Sequence, residues 1–189
     1  MAVVGLAAPA VFEAEVAQVL FAGWAPVARE SELKTAGDYR SVDVAGAPLV
    51  VTRAASGELH VMSRVCRHRG MLIVEGAGNA KARTCPYHLW RYGLDGKLAA
   101  APAMEQSAVF DRAACSLPRL RSECWGGWVF VNIDGQAPPL APRLAPLAAR
   151  LRAVDPDGDP LTYDYAGLDG QRIQPVGDGS SVRFTPAPD

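Results

Sequence analysis

This chain of 189 residues has no excess of basic charge, and long apolar runs and histidine are scarce in it. Its formal net charge is -1, which gives no electrostatic reason to expect nucleic acid or an anionic membrane as a partner. No apolar run approaches the ~20 residues that a membrane-spanning helix needs. The first residues, Met1 to Gly5, lack the basic side chains that open a secretory signal. We therefore expect a cytoplasmic protein that binds neither nucleic acid nor a membrane.

The chain has only three histidines and four cysteines, and four of these residues fall in two short stretches. The stretch C-R-H-R-G begins at Cys66, and the stretch C-P-Y-H-L-W begins at Cys85. Each stretch holds one cysteine and one histidine, in the order C-x-H and then C-x-x-H. A Rieske [2Fe–2S] centre needs two thiolates on one iron and two imidazoles on the other. The spacing therefore predicts that Cys66, His68, Cys85 and His88 bind one such cluster.

A structural zinc site is the alternative, because zinc also accepts sets of two cysteines and two histidines. Zinc fingers typically pair their cysteines as C-x(2–4)-C and their histidines as H-x(3–5)-H. Each stretch here mixes one cysteine with one histidine, and the C-x-H spacing is too short for that pattern. The spacing favours the iron–sulfur cluster, with a zinc-binding structural protein as the alternative of a different class.

Three runs, C-R-H-R-G, C-P-Y-H-L-W and R-Y-G-L-D-G-K-L, resemble the amino-terminal half of the alpha subunits of Rieske non-haem iron ring-hydroxylating oxygenases. The resemblance extends from about Val11 to about Leu151. That family usually has glycine in the place of Leu89, and glycine reaches backbone angles that are closed to leucine. The resemblance implies an electron-transfer role, with a reductase or ferredoxin as electron donor and oxygenase subunits as candidate partners.

The resemblance and the residue patterns together predict a mostly β protein, an antiparallel Rieske-type β-sandwich with two cluster-binding loops. Short apolar segments separated by turn residues predict the strands. Apolar residues at steps of three and four predict an amino-terminal helix and a helix near 140–151. The predicted strands are Ala25–Arg29, Arg40–Val44, Pro48–Arg53, Glu58–Arg64, Leu117–Cys124 and Trp125–Ile133.

Two glycine-containing runs are predicted to form turns. Arg91–Leu98 has the Asp-Gly pair of a tight hairpin. The run from Gly76 to Asn79 lacks the Gly-Lys-Ser/Thr ending of a phosphate-binding loop, so we expect a hairpin turn there as well. The helix over Val11–Trp24 either packs on a catalytic domain, as in the resembled family, or covers a face of this domain.

We expect three regions along the chain. Residues 1–38 form an amino-terminal helical segment and the first strand, and residues 39–152 form the Rieske domain. Residues 153–189 form a mostly irregular tail, rich in Asp, Gly and Pro, with one or two strands around Leu161–Tyr165 and Ser181–Thr185. This tail stands in the place of the catalytic domain of the resembled oxygenases.

That catalytic domain would bind a mononuclear iron through two histidines and a carboxylate. Only His60 remains once the cluster has its two histidines, and a strand histidine of this kind usually has a structural role. We therefore expect no mononuclear iron here, and a truncated alpha subunit that transfers electrons without hydroxylating. A free-standing Rieske-type ferredoxin is the second candidate within this class.

Residues around the predicted ligands suggest further roles. Tyr87 and Trp90 are expected to shield the irons from water, with the role of an ordinary core aromatic as the alternative for either. Arg67 and Arg69 either help an acidic partner to dock or form local ion pairs. The two cysteines outside the motifs are expected to stay free thiols; they are Cys115 and Cys124.

The resemblance also sets an expectation for the redox potential. High-potential respiratory Rieske proteins have a serine two positions after the second histidine, where its hydroxyl reaches a bridging sulfide. Trp90 occupies that position in this chain. The same class has an extra cysteine in each loop, and Tyr87 stands at one of those places. We therefore expect a potential near the low end of the Rieske range, roughly -150 mV.

Overall fold

The computed structural model describes residues 8–104, 107–153, 173–176 and 181–184, and the statements below refer to these. The structure is mostly β, as the sequence predicts. Its strands, in chain order, are β1 Ala25–Arg29, β2 Asp38–Val44, β3 Ala47–Arg53, β4 Leu59–Ser63, β5 Ala77–Asn79, β6 Arg83–Thr84, β7 Arg91–Tyr92, β8 Leu98–Ala100, β9 Arg119–Trp125, β10 Trp128–Asn132, β11 Ile173–Val176 and β12 Ser181–Phe184.

All the strands pair in antiparallel fashion, in three separate sheets. The large sheet has seven strands in the order β1-β10-β9-β4-β3-β2-β5. It curls, so that residues of β1 also contact residues of β2, which are distant in the strand order. The small sheet has the order β6-β7-β8, and β11 and β12 form a hairpin of their own. The small sheet matters most for function because β6 and β7 flank the second predicted loop.

Local sequence explains why the central strands form where they do. In β3, Val50, Val51 and Thr52 are β-branched and fully buried, which suits a strand covered on both faces. The turn from β2 to β3 uses positive φ angles at Ala45 and Gly46, the conformation that tight hairpins favour. The expected strands are therefore confirmed, with small shifts at their ends.

One strand boundary differs from the expectation. Trp125 is the last residue of β9, whereas the sequence pattern assigned it to the following strand. Gly126 and Gly127 both have positive φ, 58° and 77°, so the chain turns at these two residues. Trp125 and Trp128 thus face each other across the hairpin as a register pair.

The run from Gly76 to Asn79 is not a hairpin turn, and that expectation was wrong. Ala77–Asn79 form β5, which pairs with β2 at the edge of the large sheet. A Cβ on Gly78 would lie 3.1 Å from the hydroxyl oxygen of Tyr39, so this glycine allows the strand to approach the tyrosine closely. The side chain of Asn79 then donates to Asp38 at 2.8 Å and holds the edge in place.

The predicted helices are both present. The amino-terminal one consists of α1, Pro9–Glu15, followed by a π-helical turn, Val16–Phe21. Neither contributes a buried residue, and Phe12 is 57% exposed, so this helix does not cover a face of the domain. The second helix, α2, spans Leu140–Ala153 and contains Pro146. No helix among the described residues is long and apolar enough to cross a membrane.

Contacts divide the chain into two compact units, Met1–Leu140 and Ala141–Asp189. In the second unit, β12 confirms the strand expected around Ser181–Thr185, and its partner β11 was not predicted. The strand expected around Leu161–Tyr165 lies outside the described residues.

The first unit has two apolar cores. One lies inside the curled sheet, with Leu33, Val61 and Val131 among its members. The other lies against the small sheet and includes both predicted cysteine ligands, Cys66 and Cys85.

Candidate metal centre

The two predicted ligand loops share one backbone design. In the first loop, the N–H of Cys66 donates to the carbonyl of Met71 at 2.8 Å, and the N–H of Gly70 donates to the carbonyl of Cys66 at 3.1 Å. In the second loop, the N–H of Cys85 donates to Trp90 at 2.8 Å, and the N–H of Leu89 donates to Cys85 at 3.0 Å. Each loop therefore turns back on its own cysteine, and the backbone hydrogen bonds span the same numbers of residues in both loops.

The residue four positions after each cysteine has a left-handed backbone. Gly70 has φ of 71°, and Leu89 has φ of 58°. Glycine adopts this conformation without steric cost, whereas leucine does not. The equivalence of the two positions explains why glycine suits the place of Leu89. Leu89 keeps the turn geometry and leaves its own side chain 61% exposed.

The loops bring the four predicted ligand residues to one end of the domain. Cys66 and Cys85 are both buried, with 2% of their surface exposed, and both are free of disulfides. The rings of His68 and His88 contact each other edge to face, with centroids 4.5 Å apart. Two buried thiols and two touching imidazoles thus come from two separate loops.

The chemistry of these residues fits a metal cofactor. Nδ1 of His68 is buried and has no hydrogen-bond partner among the described residues. Burial, with the nearby charges of His88 and Arg69, lowers the pKa of His68, which favours the neutral imidazole that a metal requires. An orphaned ring nitrogen in a neutral histidine is well suited to a metal bond.

Among the described residues, no three His, Cys, Asp or Glu side chains are arranged to hold one metal ion. Two cysteines and two histidines are the donor set of a Rieske-type cluster, in which each iron takes two protein ligands. The residues present therefore fit a [2Fe–2S] group.

The two aromatic residues of the second loop differ in burial. Trp90 is buried, with 3% of its surface exposed, and its ring stacks on His68 at a centroid distance of 4.8 Å. Tyr87 lies over His88 at 4.1 Å but is 59% exposed. Trp90 is thus placed to exclude water from the first histidine, and Tyr87 covers the second one only from outside.

Tyr92, on β7, is a site residue that the sequence pattern did not single out. It is fully buried, and its hydroxyl lies 3.3 Å from Sγ of Cys66 and accepts the N–H of Arg67 at 3.0 Å. Burial, together with the hydrogen bond to Cys66, raises the pKa of Tyr92, so the phenol stays protonated. The alternation of exposed Arg91 with buried Tyr92 was the available signal.

Arg83, on β6, is a second residue that the sequence pattern missed. Its side chain is 2% exposed, its Nη2 donates to the hydroxyl of Thr52, and its guanidinium lies 5.0 Å from the ring centroid of Tyr39. Nε and Nη1 have no partner in the described part of the chain. Burial lowers the pKa of Arg83 to about 10, which leaves it charged at neutral pH.

The remaining candidate residues lie apart from this arrangement or at its surface. Arg67 and Arg69 are exposed, and neither forms an ion pair with another described residue, so the alternative of local ion pairs is not seen. His60 is buried in β4, and Arg119 donates to its Nδ1 at 2.5 Å, which is the structural role expected for it. The cysteines outside the loops are free, as expected; they are Cys115 and Cys124.

Comparison with known proteins places this arrangement in a family. The Rieske [2Fe-2S] domain family matches residues 23–118. The chain is 37% identical over 147 residues to the oxygenase subunit of carnitine monooxygenase from Escherichia coli K12, covering 77% of this chain and 39% of that subunit. It is 36% identical over 131 residues to the large subunit of anthranilate 1,2-dioxygenase from Acinetobacter baylyi, covering 68% and 28%. The chain therefore spans well under half the length of these relatives.

Solved structures of Rieske oxygenases are similar to this chain as well. A quaternary ammonium Rieske monooxygenase superposes with a TM-score of 0.72 at 36% identity, covering 77% of this chain and 40% of that one. Naphthalene 1,2-dioxygenase with bound indole superposes with a TM-score of 0.73 at 26% identity, covering 84% and 37%.

The family match implies a Rieske [2Fe–2S] cofactor and overrides the zinc alternative. The similarity also extends over 147 residues, beyond the 23–118 of the Rieske match itself, and the relatives are oxygenase subunits. The chain belongs to the Rieske [2Fe-2S] domain family, and its Rieske domain is of the type found in the amino-terminal part of ring-hydroxylating oxygenase alpha subunits.

Proposed function

We propose that Cys66 and Cys85 hold one iron of the cluster and that His68 and His88 hold the other. The single observation that carries this proposal is the pair of equivalent loops, which bring two buried thiols and two contacting imidazoles together. The orphaned Nδ1 of His68 supports it, since a buried polar atom normally has a partner. When bound, the cluster supplies one-electron transfer.

The protein residues around the ligands prepare this site for electron transfer. Trp90 stacks on His68 and keeps water from that ring. Tyr92 keeps its proton and directs its hydroxyl to Sγ of Cys66. His68 and His88 are both half-buried, whereas Cys66 and Cys85 are buried, so the two imidazoles are the ligands nearest the surface. Electrons therefore enter and leave on the histidine side of the two loops.

The electron partners belong to this proposal. We propose that a reductase or ferredoxin reduces the chain in the cytoplasm and that an oxygenase subunit receives the electrons. One of the similar solved structures was described in terms of inter-subunit electron transfer, which supports the second step. Arg67 and Arg69 are exposed beside the first loop and free of ion pairs among the described residues, so they can attract an acidic partner.

Hydroxylation is not part of the proposed activity of this chain. A mononuclear iron site needs two histidines and a carboxylate, and only His60 is left after the cluster ligands. His60 is buried and hydrogen-bonded to Arg119, which removes it from such a role. We propose residues 39–152 as the Rieske domain, with 1–38 as the amino-terminal segment and 153–189 as a separate carboxy-terminal segment.

The first test measures cluster content. Anaerobic reconstitution should give about two irons and two acid-labile sulfides per chain, with the visible absorption of a Rieske protein. Cys66→Ser or Cys85→Ser should abolish the sulfide, whereas Cys115→Ser and Cys124→Ser, the matched controls, should retain it. Uptake of iron without sulfide, or equal loss in the control variants, would contradict the ligand assignment.

The second test concerns turnover. The reconstituted chain, supplied with a reductase and reduced nicotinamide, should bleach as its cluster is reduced. It should form no hydroxylated product from an aromatic substrate. Product formation by this chain alone would refute the assignment of an electron-transfer role without oxygenation.

A further inference from the structure

The strand that leads into the second ligand loop buries a positive charge without an anionic partner. Arg83 is 2% exposed, and in the described part of the chain it forms no ion pair. Its hydrogen bond to Thr52 is 2.5 Å long, and two of its three guanidinium-group nitrogens, Nε and Nη1, have no partner among the residues that the structure describes. A buried ion of this kind is costly unless an opposite charge compensates it.

The contacts that Arg83 does make offset the cost of its buried charge only in part. The hydroxyl of Thr52 accepts one hydrogen bond, and the face of Tyr39, 5.0 Å from the guanidinium carbon, provides a cation–π contact. Both partners are neutral. The positive charge therefore acts on its surroundings in a medium of low dielectric constant, where its effect reaches further than in water.

The same strand points Arg83 to the side on which the candidate ligands lie. Burial alternates along it, since Arg83 is buried, Thr84 is exposed and Cys85 is buried. Arg83 is also the register partner of Tyr92 on β7, and directly opposite residues of an antiparallel pair share one face. Tyr92 in turn contacts Sγ of Cys66. Arg83 thus leaves its strand on the buried side that it shares with Cys85 and Tyr92.

The position of Arg83 matters because the charge of a Rieske cluster changes when the cluster is reduced. In the oxidised state, the charges of two ferric ions, two sulfides and two thiolates cancel. Reduction by one electron leaves one ferrous and one ferric ion and adds one negative charge. We infer that Arg83 is the buried counter-charge of the reduced cluster and that it raises the midpoint potential. This inference rests on the proposed ligation by Cys66, His68, Cys85 and His88.

The test is protein-film voltammetry of the full reconstituted chain at neutral pH. Arg83→Met keeps much of the side-chain volume and removes the charge, and it should lower the midpoint potential by at least 59 mV, a tenfold loss in electron affinity for a one-electron couple. Arg83→Lys keeps the charge and should stay close to the parent. Arg91→Met, on the neighbouring strand, removes an exposed charge that water and salt screen, so its potential should hardly change.

A second neutral variant tests the inference independently if Arg83→Met does not fold. Arg83→Gln retains an amide that can donate toward Thr52, and the same fall in potential is expected. If neither neutral variant retains a cluster while Arg83→Lys does, the requirement for positive charge is supported. Failure of the lysine variant as well would overturn the inference in favour of a packing role.

The inference and the ligand assignment fail in different ways. A parent chain without acid-labile sulfide refutes the ligand assignment before any potential is measured. A parent chain with a complete cluster, whose potential is unchanged in Arg83→Met and Arg83→Gln, refutes only the role of Arg83.

Discussion

Tyr92 places a phenolic hydroxyl 3.3 Å from the sulfur of Cys66. A cysteine that holds iron is a thiolate without a proton, so in the loaded site the hydroxyl of Tyr92 would donate to this sulfur. Donors to a ligand sulfur stabilise the extra electron of a reduced cluster. A tyrosine 26 residues along the chain from Cys66 is therefore placed to tune the electron affinity of the site.

We predict that Tyr92→Phe lowers the midpoint potential without loss of the cluster. The ring still fills its buried position, and only the hydrogen bond is lost. A fall of about 59 mV corresponds to a tenfold weaker electron affinity. Voltammetry of the reconstituted chain measures it, with Tyr87→Phe as the control, because the exposed Tyr87 makes no hydrogen bond to a cysteine sulfur among the described residues. An unchanged potential in Tyr92→Phe would exclude the hydrogen bond as a determinant.

Leu89 has a backbone conformation that suits glycine, with φ of 58°. A left-handed conformation costs an L-residue roughly 1–2 kcal/mol, and the greater freedom of unfolded glycine offsets roughly 0.5–1 kcal/mol of the gain. We therefore predict that Leu89→Gly increases the free energy of unfolding by up to about 1.5 kcal/mol. Denaturant unfolding followed by circular dichroism measures the change. Leu89→Ala, which keeps the strain and removes the exposed side chain, should show no such gain.

One buried side chain contributes several hydrogen bonds to the junction between the amino-terminal helix and the sheet. Nδ2 of Asn132, at the end of β10, donates to the carbonyls of Phe21 and Gly23, both at 2.9 Å. Its Oδ1 accepts the N–H of Ala137 at 2.9 Å. Asn132 is fully buried, so water cannot replace these partners when the side chain is removed. The amide of Asn132 therefore makes three of the hydrogen bonds at this junction, beside the bond from the N–H of Asp134 to the carbonyl of Phe21.

We predict that Asn132→Ala lowers the free energy of unfolding by about 3 kcal/mol, because it removes three hydrogen bonds to the backbone and leaves the N–H of buried Ala137 unpaired. Asn79→Ala is the matched control. Asn79 also donates to several acceptors, but it is exposed, so water replaces its hydrogen bonds and the loss should stay below about 1 kcal/mol. Chemical denaturation of both variants gives the comparison. Equal losses would show that burial does not set the strength of the junction.

At the scale of the whole molecule, the cluster potential reflects all the donors and charges around the two loops. Trp90 occupies the place of the serine of high-potential Rieske proteins, and its ring stacks on His68 instead of reaching a sulfide as a hydroxyl would. Tyr92 and Arg83 act in the opposite direction and raise the potential. The site still has one hydroxyl donor to the cluster fewer than the site of a high-potential Rieske protein.

We therefore predict a midpoint below zero at neutral pH, toward the low end of the Rieske range of about -150 to +300 mV. Such a value suits reduction by a reductase or ferredoxin. Voltammetry of the parent chain decides the point, and a midpoint well above zero would contradict the hydrogen-bond argument.

Removal of the metal with a chelator should abolish the voltammetric signal of the cluster and lower the thermal stability of the chain, because metal binding is coupled to folding.

Much of the fold followed from local patterns. Short-range spacing is enough to specify turns, so the β2–β3 and β9–β10 hairpins and the Asp-Gly turn formed close to the predicted places. The run from Gly76 to Asn79 was predicted wrongly because its glycine serves close packing on Tyr39, a contact 39 residues away in the chain that no local pattern contains.

The sequence by itself determined the candidate ligands, because the order of cysteines and histidines in two short stretches carries the chemistry of the cofactor. Only the tertiary structure decided what surrounds them. The contact of Tyr92 with Cys66 spans 26 residues, and that of Arg83 with Thr52 spans 31. Such pairs form because distant strands pack together, and the burial that gives their charges and hydrogen bonds an effect on the site exists only in the folded chain.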